Sequence, residues 1–138
     1  MPPFTVTKLD HVSVLITDVE RSRRFYRDVL GMREIHRPRT FDFMVVWFEI
    51  DGQHVHLLLK DQADTQSPRH FALRVSDVAA ARRYFQGLGV PTMETTLIPG
   101  ADRFFIHDPD GNRIEITCEM AVVDSSWAPA AAQHRVSR

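Results

Sequence analysis

Hydrophobic and polar side chains alternate in several short stretches of the chain, which is the pattern of β-strands with one buried face. In the stretch 9–17, Val12 and Val14 share one face of the predicted strand and His11 lies on the other. Stretches of this kind are rich in β-branched and aromatic residues and are bounded by turn-forming residues. The pattern predicts strands at 9–17, 32–35, 43–50, 53–60, 70–75, 90–95, 103–107 and 113–118.

Two stretches between these strands, 19–30 and 78–88, carry apolar residues at the spacing of an amphipathic helix. Each follows an aspartate, which suits the N-cap, and precedes a glycine, which suits the position just past the last turn. The two pairs are Asp18 with Gly31 and Asp77 with Gly89. Both stretches are therefore predicted to be helices.

The order of the elements repeats once along the chain. A shift of 59 positions lays His11 on His70, Asp18 on Asp77 and Asp51-Gly52 on Asp110-Gly111, while Leu30-Gly31 meets Leu88-Gly89 after a slip of one residue. Agreement at several independent points predicts two copies of a β-α-β-β-β unit. The expected fold class is α+β, with two tandem modules forming a cupped mixed sheet and helices on its outer face. We expect a single domain, 1–138, made of module one (about 8–60), a linker (61–68), module two (about 69–119) and a C-terminal tail (120–138).

Composition narrows the class of protein. A formal net charge of −1 over 138 residues gives no electrostatic basis for binding nucleic acid or an anionic membrane. No apolar run reaches the roughly 20 residues of a membrane-spanning helix, and the N-terminus lacks the apolar segment of a signal peptide. The single cysteine, Cys118, excludes an internal disulfide. We therefore expect a cytoplasmic protein with neither a nucleic-acid nor a membrane partner.

Four titratable side chains occupy strand positions that the repeat relates: His11 and His70, and His56 with Glu115. Each lies on the strand face opposite the aliphatic residues, so all four point to the concave face if the aliphatic faces pack under the helices. Three imidazoles and a carboxylate suit one divalent metal ion such as Zn, Ni, Mn, Fe or Co. We predict these four as metal ligands. His54 shares the face of His56 and could exchange roles with it.

The predicted hairpins suggest which other side chains line this cavity. A two-residue turn at Asp51-Gly52 places Trp47 opposite His56, and the second hairpin by the same logic places Phe104 near Glu115. The alternative is that both aromatic residues belong to the core. Three residues of the loop before the first hairpin are candidate substrate contacts, with a solvated basic loop as the alternative: Arg37, Arg39 and Phe41.

The chain resembles the vicinal oxygen chelate superfamily, also called the glyoxalase / bleomycin resistance / dioxygenase family. The matching segments are His11–Val14, Phe25–Gly31, His70–Leu73 and Asp108–Glu115, and the resemblance covers about residues 8 to 119. It implies that the metal ligands come from the first and last strand of each module. One departure is that His56 stands where glyoxalase I carries a glutamate that helps to move the substrate proton.

The resemblance implies a small substrate that chelates the metal through two adjacent oxygens. The first hypothesis is a metal-dependent glyoxalase-like lyase or isomerase, with Glu115 as ligand and base and His56 as ligand or second base. The second is a thiol transferase resembling fosfomycin resistance enzymes, with His11, His70 and Glu115 as ligands and a thiol such as glutathione as co-substrate. An extradiol dioxygenase and a metal-free drug-binding protein resembling bleomycin resistance proteins rank lower. A homodimer is expected, with sites formed either within one chain or between two.

Overall fold

The computed structural model of the chain describes residues 1–36, 44–96 and 99–118. Module one contains strand β1 (His11–Ile16), helix α1 (Val19–Arg23), which continues as a π-helical segment (Arg24–Val29), and strands β2 (Arg33–Ile35), β3 (Val45–Ile50) and β4 (Gln53–Leu59). Module two contains β5 (His70–Arg74), α2 (Val78–Gly87), β6 (Met93–Glu94), β7 (Arg103–His107) and β8 (Arg113–Thr117). The predicted pair of β-α-β-β-β units is confirmed.

The two modules have the same sheet topology. Module one has the strand order β1-β4-β3-β2 and module two the order β5-β8-β7-β6. The first and last strands of each module run parallel, and the other pairs are antiparallel. Each module is therefore a small mixed sheet, and β1 and β5 lie at sheet edges, with one side unpaired among the described strands.

Local capping explains where the helices begin. The Asp18 carboxylate accepts a hydrogen bond from the Arg21 amide at 3.0 Å, and the Asp77 carboxylate accepts one from the Ala80 amide at 2.9 Å. The first helix is α-helical over Val19–Arg23 and π-helical over Arg24–Val29. None of the described helices has the length and the apolar composition needed to cross a membrane.

The hydrophobic faces of both sheets and both helices contribute to one core. Tyr26, Phe48 and Leu57 of module one and Phe104 and Ile114 of module two are fully buried members of it. The predicted alternation holds in β1, β4, β5 and β8, where the core residues occupy the faces opposite the candidate ligands. The other face of each sheet lies away from this core, and we call it the open face of that module.

The turn before β8 joins the two modules through buried polar contacts. The Asp110 carboxylate accepts hydrogen bonds from the Thr17 hydroxyl at 2.6 Å and from Arg21 Nη2 at 2.8 Å. Asp108 accepts one from the Tyr26 hydroxyl at 2.8 Å, and burial raises the pKa of its carboxyl. Asn112 Nδ2 donates to the Leu15 carbonyl at 2.8 Å, at the end of β1. The turn therefore fixes how module two sits against module one.

Candidate metal centre

The open face of module one carries a cluster of imidazoles around His56. The His56 ring stacks on His11 at 4.1 Å between centroids and on Trp47 at 4.2 Å, and His54 Nδ1 lies 3.2 Å from His56 Nε2. Strand register explains the cluster, because β4 pairs with β1 on one side and with β3 on the other. Burial, followed by the neighbouring imidazoles of His11 and His54, lowers the pKa of His56 to about 4. Its imidazole is therefore neutral at pH 7.

A carboxylate orients the His11 ring. His11 Nδ1 lies 2.8 Å from Asp10 Oδ2, and the hydrogen bond from His11 is the largest cause that lowers the pKa of Asp10. Because a carboxylate only accepts, Nδ1 carries the proton in the neutral ring and Nε2 keeps its lone pair. A carboxylate behind an imidazole is the usual outer partner of a metal-bound histidine. The sequence pattern did not identify Asp10, although its position next to His11 was the available signal.

His70 on β5 is oriented in the same way by a different group. Its Nδ1 lies 2.9 Å from the Pro68 carbonyl, which can only accept, so in the neutral ring Nε2 is again the nitrogen with the free lone pair. That Nε2 lies 3.2 Å from Glu115 Oε1. Two acceptor atoms at this distance repel each other unless a proton or a metal ion lies between them. Two ligands, each about 2.1 Å from one ion, are separated by about 3.0–3.4 Å, which matches the observed distance. The donor set of module two therefore fits a divalent cation.

Glu115 has further neighbours on the open face of module two. Its side chain is 13% exposed, and Oε1 also accepts a hydrogen bond from Arg103 Nη1 at 3.1 Å. Phe105 pairs directly with Glu115 across the sheet and meets the His70 ring edge-on at 4.9 Å. Arg113 covers the Phe105 ring at 3.7 Å. The carboxylate thus lies among one imidazole, one aromatic ring and two guanidinium groups.

The prediction that Phe104 lines the cavity is wrong. Phe104 is fully buried on the core side, where it pairs with Ile116 and contacts Phe85. The prediction assumed that both hairpins have two-residue turns. Five residues, 108–112, connect β7 to β8, whereas only 51–52 connect β3 to β4. The one-residue slip seen at the helix ends therefore persists through β7, and Phe105 rather than Phe104 is the counterpart of Trp47.

The other predicted pocket residues have different outcomes. Trp47 lies against His56 as the hairpin register predicted. Arg37, Arg39 and Phe41 fall outside the described residues, as does the tail 120–138.

The four predicted ligands form two pairs, one on each sheet. His11 contacts His56, and His70 contacts Glu115. Within 1–36, 44–96 and 99–118, no three His, Cys, Asp or Glu side chains are grouped closely enough to hold a metal ion. The described residues therefore bring the four predicted ligands together as two pairs, which we call half-sites.

Comparison with known proteins agrees with this architecture. The model of the Glyoxalase/Bleomycin resistance protein/Dioxygenase superfamily matches residues 8–116. Glyoxylase I 4 of Arabidopsis thaliana is 31% identical over 125 residues, which are 83% of this chain and 72% of that protein. The structure resembles that of a Bacillus anthracis protein assigned to the glyoxalase family, with a TM-score of 0.77, 27% identity, and coverage of 85% of this chain and 98% of the other. It shares its fold with a mutant of the fosfomycin resistance protein FosX from Listeria monocytogenes, complexed with Mn(II) and a dihydroxypropylphosphonic acid, with a TM-score of 0.70, 17% identity, and coverage of 83% and 93%.

Proposed function

The chain belongs to the Glyoxalase/Bleomycin resistance protein/Dioxygenase superfamily, and on that premise we propose that it is a divalent-metal-dependent, glyoxalase-like lyase or isomerase. Its substrate is a small molecule that offers two adjacent oxygens to the metal ion. The proposed ligands are His11, His56, His70 and Glu115. One member of this fold, FosX, has been crystallised with Mn(II).

The observation that carries the proposal is the pair formed by His70 and Glu115. In the neutral ring the imidazole presents a lone pair to a carboxylate oxygen at 3.2 Å, because Nδ1 donates its proton to the Pro68 carbonyl. Such a pair needs a proton or a metal ion between its two acceptor atoms, and the distance suits two ligands of one divalent ion. His11 supports the same assignment, since Asp10 leaves its Nε2 free as well.

Each complete site is proposed to form between two chains of a homodimer. The half-site of His11 and His56 would face the half-site of His70 and Glu115 from the second chain. Two observations support this arrangement: the half-sites lie on separate sheets, and β1 and β5 are edge strands whose outer side is unpaired in the sheet. In a symmetric dimer the same contact occurs twice, so it would give two sites.

The metal ion would supply Lewis acidity, which lowers the energy of negative charge developing on a substrate oxygen. The residues of the chain would bind and orient the substrate and move its proton. Glu115 is the proposed base, because Oε1 is engaged by His70 and Arg103 while no hydrogen bond or ion pair joins Oε2 to a described residue. Trp47 and Phe105 would form apolar walls that keep water from the reacting atoms.

Metal content tests this proposal directly. We expect about one divalent ion per chain in the purified wild-type protein, measured by mass spectrometry, and little or none in His70→Ala. His107→Ala is the matched control, because His107 is exposed on the same open face, where it pairs with Arg113 and not with Glu115. Full metal occupancy in His70→Ala would contradict the assignment. Activity is then screened with the methylglyoxal–glutathione adduct and each metal ion.

A mixing experiment tests the shared site. In a heterodimer of a His11→Ala chain and a His70→Ala chain, one site contains both substitutions and the other contains neither. A refolded equimolar mixture should therefore regain about a quarter of the wild-type metal content, since about half of the dimers are mixed. Sites formed within one chain would regain nothing.

A second candidate function is a thiol transferase. It is favoured by the contact between His54 Nδ1 and His56 Nε2, which occupies the nitrogen that His56 would use as a ligand and leaves the three-ligand set His11, His70 and Glu115. In that case His56→Ala retains its metal, and the expressed protein protects bacteria against fosfomycin. Loss of metal in His56→Ala would favour the four-ligand enzyme.

A further inference from the structure

One row of side chains differs in character between the two open faces. A row here is a set of side chains on one face that pair across neighbouring strands. A residue of module one corresponds to the residue 59 positions later in the first and last strands of module two, and 58 positions later in the third. In module one the row next to His56 and Trp47 consists of aliphatic residues: Leu15, Leu58 and Val45. In module two the equivalent row consists of Arg74, Thr117 and Arg103.

The fold itself does not require arginine at these positions. Module one builds the same row from Leu15 and Val45, which pack without polar partners, and the two modules have the same strand order. The two arginines lie on either side of Thr117, and Arg103 is paired with the Glu115 carboxylate at 3.1 Å. The shared topology alone therefore does not explain why both positions are arginine.

Arg103 is held in place and retains unused hydrogen-bonding capacity. Its side chain is 16% exposed, Nη1 donates to Glu115 at 3.1 Å, and Nη2 donates to the Thr96 carbonyl at 3.0 Å. Its Nε is buried, and no acceptor in the described ranges lies within reach of it. A buried donor without a partner is costly, so an acceptor from a bound molecule would satisfy it.

Arg74 completes the row from the other side of Thr117. It is exposed, and no hydrogen bond or ion pair joins its side chain to another residue of the described part of the chain. β5, β7 and β8 together place three arginines and one acidic residue on the open face of module two: Arg74, Arg103, Arg113 and Glu115. The corresponding strands of module one place no arginine or lysine on their open face. The excess of positive charge belongs to module two alone.

We propose that Arg74 and Arg103 form an anion subsite for an oxyanion group of the substrate, a carboxylate or a phosphate-like group, one row away from Glu115. The inference rests on the proposed metal-dependent function and defines its substrate class: a small molecule that carries vicinal oxygens and, at a short distance from them, a negatively charged group. Planar guanidinium groups suit such oxyanions because they donate two parallel hydrogen bonds. The aliphatic row of module one would face the apolar part of the same molecule.

Calorimetric titration with three vicinal diols tests the subsite: glycerol 1-phosphate, glycerate and uncharged glycerol. We expect the wild-type protein, loaded with manganese(II), to bind at least one of the charged diols about tenfold or more tightly than glycerol. Arg74→Leu and Arg103→Val, which introduce the residues of module one, should each abolish most of this preference. Arg83→Leu on α2 also removes one positive charge, but at a position that is not on the open face, and should leave the preference unchanged. The two charged diols distinguish a phosphate from a carboxylate subsite.

The same titration on metal-free protein separates the two proposals. If the wild-type chain holds no metal but still prefers a charged diol through Arg74 and Arg103, the enzyme proposal fails and the subsite stands. If wild type shows no preference for either charged diol, or the double substitution leaves the preference intact, the subsite is refuted whatever the metal content. Arg74→Leu guards against misfolding, because that exposed side chain has no hydrogen bond or ion pair to lose among the described residues. Circular dichroism and metal content of each variant show that the fold and the ligand set are intact.

Discussion

The Asp110 carboxylate links the second module to the first. It accepts hydrogen bonds from the Thr17 amide at 3.1 Å, the Thr17 hydroxyl at 2.6 Å, Arg21 Nη2 at 2.8 Å and the Ser22 hydroxyl at 3.4 Å. The Asp110 side chain is only 3% exposed, whereas that of Arg21 is 42% exposed. All four donors belong to module one, so Asp110→Asn tests the junction between the modules.

The cost of Asp110→Asn follows from the bonds that the amide cannot make. One carboxylate oxygen becomes an NH₂ group, which would face either the Thr17 amide or the Thr17 hydroxyl and Arg21. A buried donor left without an acceptor costs about 1–3 kcal/mol, and the remaining bonds lose their charge assistance, which is worth about 1 kcal/mol. Solvent screens the Arg21 contribution, so we expect a total of about 2–4 kcal/mol. At about 2.1 cal/mol/K per residue, this lowers Tm by about 7–14 °C.

Thermal unfolding followed by circular dichroism measures this effect, with urea unfolding as a second estimate of the free energy. Asp51→Asn is the matched control, because Asp51 is the repeat counterpart of Asp110, is exposed, and has a positive φ that asparagine tolerates. We expect the control to change Tm by less than about 2 °C. Equal melting of the two variants would refute the conclusion that the turn before β8 holds the modules together.

Three further predictions concern single side chains. Tyr26→Phe removes the hydroxyl that donates to the buried Asp108 and should lower the free energy of unfolding in urea by about 1–3 kcal/mol; an unchanged value would mean that another donor replaces it. Asp10→Ala removes the acceptor that orients His11 and should weaken metal binding about 10–100-fold in a competitive titration, without a large change in Tm; unchanged affinity would exclude this role. For His56 the pKa in the folded state is about 4, below the 6.5 of the unfolded chain, so the unfolded state binds the proton first. The contribution of His56 to the free energy of unfolding is therefore fully present above about pH 6.5 and is lost as the pH falls toward 4, with a steepest slope of about 1.4 kcal/mol per pH unit. Urea unfolding of the metal-free proteins between pH 4 and 7 measures this. The free energy of unfolding should depend less steeply on pH in His56→Leu than in wild type, and parallel curves for the two proteins would refute the low pKa of His56.

Much of the fold could be predicted from the sequence because two kinds of local signal agree. Strand alternation shows which side of each strand is apolar, and the repeat shows that the same unit occurs twice. Together they placed His11, His56, His70 and Glu115 opposite the aliphatic residues, as observed. Family membership confirms the resemblance that these segments suggested.

The register of the second hairpin could not be predicted in the same way. Alternation leaves two choices for Phe104 and Phe105, since both are apolar and adjacent. The choice depends on the turn length, and Asp110-Gly111 resembles a two-residue hairpin turn although the structured turn spans 108–112. Its extra length serves tertiary contacts, because Asp108 and Asp110 bind side chains of module one. A long-range contact therefore determined a local geometry that local patterns could not reveal.

The differences between the modules are the basis of the proposed substrate class. Both modules place candidate ligands on their first and last strands, and the shared topology is sufficient to explain that placement. The row beside the ligands is not fixed by topology, because it is Leu15, Leu58 and Val45 in one module and Arg74, Thr117 and Arg103 in the other. If the two open faces enclose one substrate, they present an apolar wall and a cationic wall on opposite sides of the ligands. A substrate that fits both walls has one apolar end and one anionic end, and its vicinal oxygens must lie between them.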